Sequence, residues 1–402
     1  MKKQQFSSQR LVKKWPLRIL NLLPFSVQKY ILSRSDHIEI TNISRSLAKS
    51  TNIAVFLPFD SNSFIACLPL LDGIIRHYQK EKVTLIGFLT QKEIAHVFFP
   101  HLSVLSISRN DFHLKENAFE TFMGKIRALK SDLAINLSDR PILLQLYLQL
   151  QTEANIRVNL IYETAPFCNV TLSSDGFPND NEIKSDREIP MHRKTVFSLY
   201  ATDFRFWQGL YQQHPYPHNF DLKPDEKYSQ GLSVKLNVIN PKSKSLVIIM
   251  LKTDEASKKE TLAIIKQLIN FFHNPEYRHY SLKYLPVLAW PDYAPFSINT
   301  ELKNKAGNSF FFMENLTAGK IIGLTSISSL IMGRNTPFLH VANLMGKRVC
   351  SFFKEQETFW QDESFFPNQK SFCFKHLRQI PIKKALDWLD PEFQADKISD
   401  KN

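Results

Sequence analysis

The side chains of this 402-residue sequence that could do chemistry stand mostly just past runs of apolar residues. Asp60 follows IAVFLPF (53–59), where a carboxylate serves either as a general base or as a turn or helix-capping group. Lys252, Lys258 and Lys259 follow LVIIML (246–251), where an ammonium meets an anion or lies on a solvated helix start. Asp292 comes after LPVLAW (285–290) in the tetrad WPDY, and Pro-Asp is also ordinary turn chemistry. His340, between Leu339 and Val341 near an expected helix start, is placed to donate to a phosphate or to fill a polar niche in a core. The four cysteines, Cys67, Cys168, Cys350 and Cys373, stand singly, without the C-x-x-C spacing of a zinc or redox site, and read as reduced, mostly buried thiols. No pair of acidic residues has ligand spacing beside these positions, so no metal is expected.

The elements that must hold these groups alternate. Residues 53–59 read as a buried strand, 64–78 as a helix with Ile65, Leu68, Leu71 and Ile75 on one side, and 83–88 (VTLIGF) as the next strand. One βαβ unit implies a parallel sheet. The alternation continues with a helix near 92–99, a strand at 104–107, a helix ending near Leu129 and the strand LAINL (133–137). A polar stretch over 169–192 reads as a loop, and 195–222 as a helical, aromatic segment. After the linker NPKSKS (240–245) the pattern restarts: strand 246–251, helix 258–272, strand 285–290, the segment 319–332, and a final strand at 348–353. This predicts two doubly wound α/β domains in tandem, over 51–240 and 241–378, preceded by an arm (1–50) and followed by a helix and tail (379–402). Ligands of open parallel sheets bind beyond the carboxyl ends of the strands, so a site between two such domains is expected.

The net charge is +13, and Lys2, Lys3, Arg10, Lys13, Lys14, Arg18, Lys29 and Arg34 all precede the first acidic residue, Asp36. With Leu11, Trp15, Ile19, Leu22, Leu23 and Phe25 interleaved, residues 1–34 suit peripheral contact with an anionic membrane, or else form a helix packed on its own domain with a solvated basic face. No apolar run is long enough to span a bilayer, and no signal-peptide pattern precedes the domains, which points to the cytoplasm, at the inner face of a membrane. No zinc finger, RNA-binding aromatic motif or basic stripe supports nucleic acid as a partner.

The segment NTPFLHVANLMGKRVCSFF (335–353) resembles the signature of glycosyltransferase family 9, the lipopolysaccharide heptosyltransferases, approximately D-T-G-P-x-H-L-A-A-A-L-G-K-P-V-x-x-L-F. Thr336, His340, Ala342, Gly346, Lys347, Val349 and Phe353 fall in register without a gap. SFIACLPLLDGIIRHY (63–78) followed by VTLIGF is similar to the family's G-D-x-L-x-T-x-P-x-L-x-x-L, helix and strand. DLAINLSDR (132–140) with ANIRV (154–158) resembles its D-L-x-I-D-L and later G-x-x-x-R-I-G, and IPIKKALDWL (380–389) stands in the place of its closing helix. The resemblance covers residues 50 to 390.

It implies a GT-B fold: two Rossmann-like domains facing a cleft, with the closing helix returning to the first. It also implies transfer of a heptose or hexose from a nucleotide sugar to a lipopolysaccharide core or another glycolipid or oligosaccharide acceptor, without a cofactor. Transfer needs a base for the acceptor hydroxyl and donor groups for the departing diphosphate. The family's base falls on Ser63, which cannot serve without a partner, and Asp60 on the same loop is the candidate in its stead. For the nucleotide diphosphate the resemblance implies Asn335, Thr336, His340, Lys258 and Asp292. Asn335 replaces the family's Asp and Pro337 its Gly, and a proline offers an anion no N–H and blocks close backbone approach. A GT-B relative that has lost catalysis and binds a glycan or protein is the alternative these replacements favour.

Overall fold

The computed structural model describes residues 47–59, 61–108, 116–138, 143–159, 168, 170–171, 222–240, 242–252, 257–291, 298–334, 336–354, 368–374 and 380–389. The basic arm, the 169–192 loop (apart from 170–171) and the aromatic segment up to 221 lie outside them. The described residues divide into two compact units, each built on one sheet.

The first unit runs β1 (Ile53–Phe56), α1 (Ser61–Tyr78), β2 (Val83–Phe88), α2 (Leu89–Phe98, which from Glu93 on is counted with the second unit), β3 (Ser103–Ile107), α3 (Glu116–Ala128), β4 (Leu133–Asn136), α4 (Leu143–Leu150), β5 (Ile156–Asn159) and β6 (Val170–Thr171). Its strands order as β3-β2-β1-β4-β5-β6, all parallel. Every residue of β1, β4 and β5 is buried. That is why these strands read as short apolar runs: a parallel strand covered on both faces has no polar side to alternate with.

The second unit runs α5 (Lys227–Ile239), β7 (Ser245–Met250), α6 (Lys258–His273), α7 (Arg278–Lys283), β8 (Tyr284–Pro291), α8 (Thr300–Ala306), β9 (Phe311–Leu316), α9 (Ala318–Ile327), β10 (Leu330–Arg334), α10 (Pro337–Leu344), β11 (Arg348–Lys354), β12 (Gln369–Phe374) and α11 (Ile382–Leu389). Its order, β12-β11-β10-β7-β8-β9, is the same winding, with β7 in the place of β1 and β10 in the place of β4. In both sheets the order reverses at the side of the first strand, and the two strands meeting there (β1 and β4; β7 and β10) open a crevice at their carboxyl ends. The two-domain α/β expectation holds.

Several details differ from the sequence reading, which had no α7, α8, β6 or β9. β11 is not the last strand, because β12 pairs with it in parallel from Val349↔Gln369 to Lys354↔Phe374; QKSFCF is a half-exposed edge strand and carries no apolar run. Helices α4 and α5 were not expected at all. The closing helix α11, expected to return to the first domain, spends its apolar stripe of Ile382, Ala385, Leu386 and Leu389 inside the second unit's core. It is fastened there by Tyr280, whose hydroxyl donates to Asp387, and by Arg348, whose Nη2 donates to the carbonyl of Trp388 at 2.9 Å. Among the described residues no helix is long and apolar enough to cross a membrane.

Candidate functional site

At the carboxyl end of β7 and β10 the second unit gathers charge. β10 ends on Arg334, an arginine only 1% exposed, whose Nη1 lies 2.7 Å from Oε2 of Glu260 and whose guanidinium stands 5.8 Å over the ring of Phe374. Glu260 belongs to the first turn of α6, the helix that follows β7. The same turn contains Thr261, fully buried, whose hydroxyl donates to the carbonyl of Lys252 at 2.5 Å and folds the chain after β7 back onto the helix. Lys258 opens α6, two residues before Glu260, and is half-buried. Gly333 is register partner of Met250, and a Cβ there would stand 1.9 Å from the Met250 carbonyl oxygen, so only glycine lets the two strands lie so close. These contacts bring Lys252, Lys258 and the turn after Arg334 to one edge.

The turn itself is helix punctuation. Thr336 has extended backbone (φ −130°, ψ 152°) and caps α10, its hydroxyl oxygen accepting from the Leu339 N–H at 3.3 Å. Pro337 is the first helical residue, where a missing N–H removes a donor that the helix would leave unbonded in any case. The far end is closed by Gly346 at φ 68°: its N–H donates to Asn343 O at 3.0 Å, and the Lys347 N–H to Ala342 O at 3.1 Å, a Schellman stop. The Lys347 ammonium donates to the carbonyls of Ser326 (2.6 Å) and Ser328 (3.2 Å), closing the end of α9. Thus Gly346 and Lys347 of the 335–353 signature are structural, and Thr336 has a structural task besides any role toward a ligand. Its hydroxyl hydrogen is still free to donate, because capping uses only an oxygen lone pair. Phe338 is buried, and His340, 5% exposed, lies on the same helix, which is buried from Phe338 to Leu344.

At the corresponding edge of the first unit the described residues that close β4 and β5 are carboxamides. Ser63 sits in the first turn of α1 and is 3% exposed. The stretch joining β1 to α1 is held by two buried glutamines. Gln91 accepts from the Phe88 N–H at 2.7 Å and donates to Pro58 O, and Gln145 Nε2 donates to Leu57 O at 2.8 Å. Gly87 makes room for the first, since a Cβ there would meet Gln91 Oε1 at 2.4 Å. Beside them β4 and β5 end on Asn136 and Asn159, partners in register and both buried.

Of the residues singled out in the sequence, Thr336 and Lys258 stand at the starts of the helices that follow the paired strands β10 and β7, His340 is buried in the first of these helices, and Ser63 lies in the other unit. Asp60, Asn335 and Asp292 lie outside the described residues. Sequence reasoning missed Arg334, Glu260 and the glutamines. A lone arginine closing the apolar run LIMG was a visible sign of a buried cation in need of a partner, and Gln145 and Gln149, one turn apart in LLQLYLQL, interrupt an otherwise apolar helix.

No protein-family model and no curated protein sequence matches the chain. Solved structures match its fold. The glycosyl transferase family 9 protein from Veillonella parvula DSM 2008 superposes with a TM-score of 0.56 at 12% identity, covering 87% of this chain and 96% of that one. The E. coli ADP-heptose lps heptosyltransferase II gives 0.55 at 14% identity, over 86% and 99%. E. coli heptosyltransferase WaaC with ADP gives 0.56 at 10% identity, over 84% and 100%. The fold is therefore that of GT-B proteins.

Proposed function

We propose that the chain is a divergent glycosyltransferase of the family 9 kind, which moves a heptose or hexose from a nucleoside-diphosphate sugar to a glycolipid or oligosaccharide acceptor such as a lipopolysaccharide core. What supports this is that Lys258 opens the helix after β7 and Thr336 caps the helix after β10, and these two strands pair at the switch point of the second sheet. A helix start with a lysine and another with a hydroxyl cap suit the end of a doubly wound sheet that takes phosphates. One of the fold neighbours was solved with ADP.

In this reading the second unit holds the nucleotide. Lys258 and Thr336 carry charge and a hydrogen bond to the diphosphate as it departs, Asn335 and Asp292 flank it, and His340 backs the turn. The first unit holds the acceptor, with Asp60 taking the proton of the attacking hydroxyl. Ser63, buried at the position of the family's carboxylate, instead favours a second reading, a GT-B relative that binds a glycan or a protein without catalysis. The basic, amphipathic composition of residues 1–34 supports attachment to an anionic inner membrane face beside such an acceptor.

Calorimetric titration of the full chain with ADP, UDP, GDP and CDP tests the proposal. One of the four binds, and Lys258→Ala weakens it about tenfold, the loss of one charge-assisted contact of roughly 1.4 kcal/mol. With the matching nucleotide sugar and a glycan acceptor, Asp60→Asn abolishes turnover but leaves nucleotide affinity unchanged. Silence with all four nucleotides overturns the transferase and leaves the second reading.

A further inference from the structure

We propose that the outer face of α5 docks an acidic amphipathic helix of a partner protein, along the stripe Gly231, Val234 and Val238 with Lys235 and Lys242 beside it. The proposal does not depend on the transferase reading. Among the described residues only Leu89, Val234, Val238 and Leu282 are large apolar side chains left exposed, and two of these four stand one turn apart on α5, 67% and 76% exposed. The helix meets its own unit with other residues. Leu232 and Leu236 are buried, and Tyr228 lies against Gly319 and Gly323 of α9. A Cβ on the first glycine would stand 2.4 Å from the Tyr228 ring, and on the second 2.3 Å from its carbonyl oxygen.

Each residue of the stripe is a poor choice for a helix face that meets only water. Valine loses rotamer freedom in a helix, where lysine, glutamate or alanine does better. Glycine does worst, and none of the described residues comes within 4 Å of where a Cβ on Gly231 would stand, so alanine would fit there. At 319 and 323 glycine has a visible reason, the close approach of α5. At 231 no described residue supplies one. The spacing of the stripe, three residues and then four, is the seam spacing of paired helices. A glycine in such a seam lets a second backbone lie close, and the two valines then fill the grooves of the helix laid on it.

Charge selects the partner. From Lys227 to Thr253 the sequence holds five lysines, 227, 235, 242, 244 and 252, and no acidic residue. Lys227 is answered by Asp225 at 2.9 Å, and Lys244 donates to the Ser281 carbonyl at 2.6 Å. Lys235 is exposed beside Val234, and Lys242 just past the end of the helix. A second copy of α5 would set ammonium against ammonium with no carboxylate between them. An anionic bilayer would accept the lysines, but bilayers are gripped by aromatic and leucine side chains, and this face offers two short β-branched ones and a glycine. A helix with an apolar seam and carboxylates along its flanks matches both the stripe and the charge.

The test uses the full chain and, as probe, a synthetic heptad peptide with leucine at the seam and glutamate on the flanks, followed by fluorescence anisotropy. Because residues 1–34 are basic as well, the chain is compared with the triple variant Val234→Gln, Lys235→Glu, Val238→Gln, whose exposed changes to good helix formers should not lower the melting temperature. The acidic peptide binds, its affinity falls about tenfold in the variant, and a peptide with lysine on its flanks does not bind. A benzophenone on Val238→Cys, in a Cys373→Ser background because Cys373 is the exposed cysteine, cross-links to the acidic peptide. Equal affinity in the variant, equal binding of the lysine peptide, or no cross-link overturns the proposal. So does dimerisation that the variant abolishes, which assigns the face to a second copy, or binding to phosphatidylglycerol vesicles that the variant loses, which assigns it to a membrane.

Discussion

The two sheets share one winding, yet their carboxyl edges are finished with opposite chemistry. The first ends in carboxamides: Gln91 and Gln145 hold the stretch after β1, and Asn136 and Asn159 close β4 and β5. The second ends in charge: Arg334 closes β10, Glu260 answers it from the first turn of α6, and Lys252 and Lys258 flank the chain after β7. Backbone topology makes a crevice in both, but only side chains decide whether an anion or a neutral ring is welcome there. Holding a loop with glutamine adds no charge to the edge. An ion pair does the same work and leaves a strong local field, at the risk that either partner becomes a liability when the other is lost.

That asymmetry can be broken most severely at Glu260. Glu260→Ala removes one ion pair from the Arg334 guanidinium, 1% exposed, and should destabilise the second unit by about 3 kcal/mol. Urea unfolding followed by a probe in each unit checks this, and the double change Glu260→Leu with Arg334→Met should recover most of the loss. A double variant as unstable as the single one would mean that the charges are not the cause. On the first unit the matching change is milder. Gln145→Leu deprives the buried Leu57 carbonyl of its donor but also removes an unbonded oxygen, so the net loss should be about 1 kcal/mol. Its larger effect should be on turnover, because the stretch it releases leads to Asp60. An unchanged turnover rate would show that the glutamine only packs.

How much of this could be read beforehand follows from where each element sits. β2 spans Val83–Phe88, the residues read as a strand, because VTLIGF is apolar and covered on both faces. β9 (FFMENL) and β12 (QKSFCF) sit at the edges of the second sheet, where half-exposed strands admit polar residues and blur the run. In the candidate site the position of Lys258 and Thr336 at helix starts was legible, since each opens or caps the helix that follows an apolar strand. The pair between Arg334 and Glu260 joins residues far apart in sequence, and no local pattern reports a contact made only when β7 and β10 become neighbours. The signature at 335–353 was read as a ligand turn. The structure shows that much of it is punctuation, with Thr336, Pro337 and Gly346 starting and stopping α10 as any sequence building that helix would need.

The smallest expected effect separates the two ends of the first sheet. Asp132, at the amino edge before β4, accepts from the Thr51 N–H at 2.9 Å, the Thr51 hydroxyl at 2.8 Å and the Asn52 N–H at 3.1 Å, tying β4 to the start of β1. Burial pushes its carboxyl up, but the three hydrogen bonds outweigh that and hold it below the ordinary value of 3.8. A carboxyl lowered on folding stabilises the folded state above its unfolded value, and that contribution disappears as pH falls through the folded one. The first unit should therefore lose stability below about pH 4, by under ~1 kcal/mol since the network faces solvent, and Asp132→Asn should flatten that part of the pH profile. Because Asp132 lies at the edge opposite Asn136 and Asn159, the same acidification should leave acceptor binding in the surviving folded fraction unchanged. If ligand affinity instead fell in step with stability, the two edges would be coupled through the strands, and the neutral end could no longer be treated as a site independent of the scaffold beneath it.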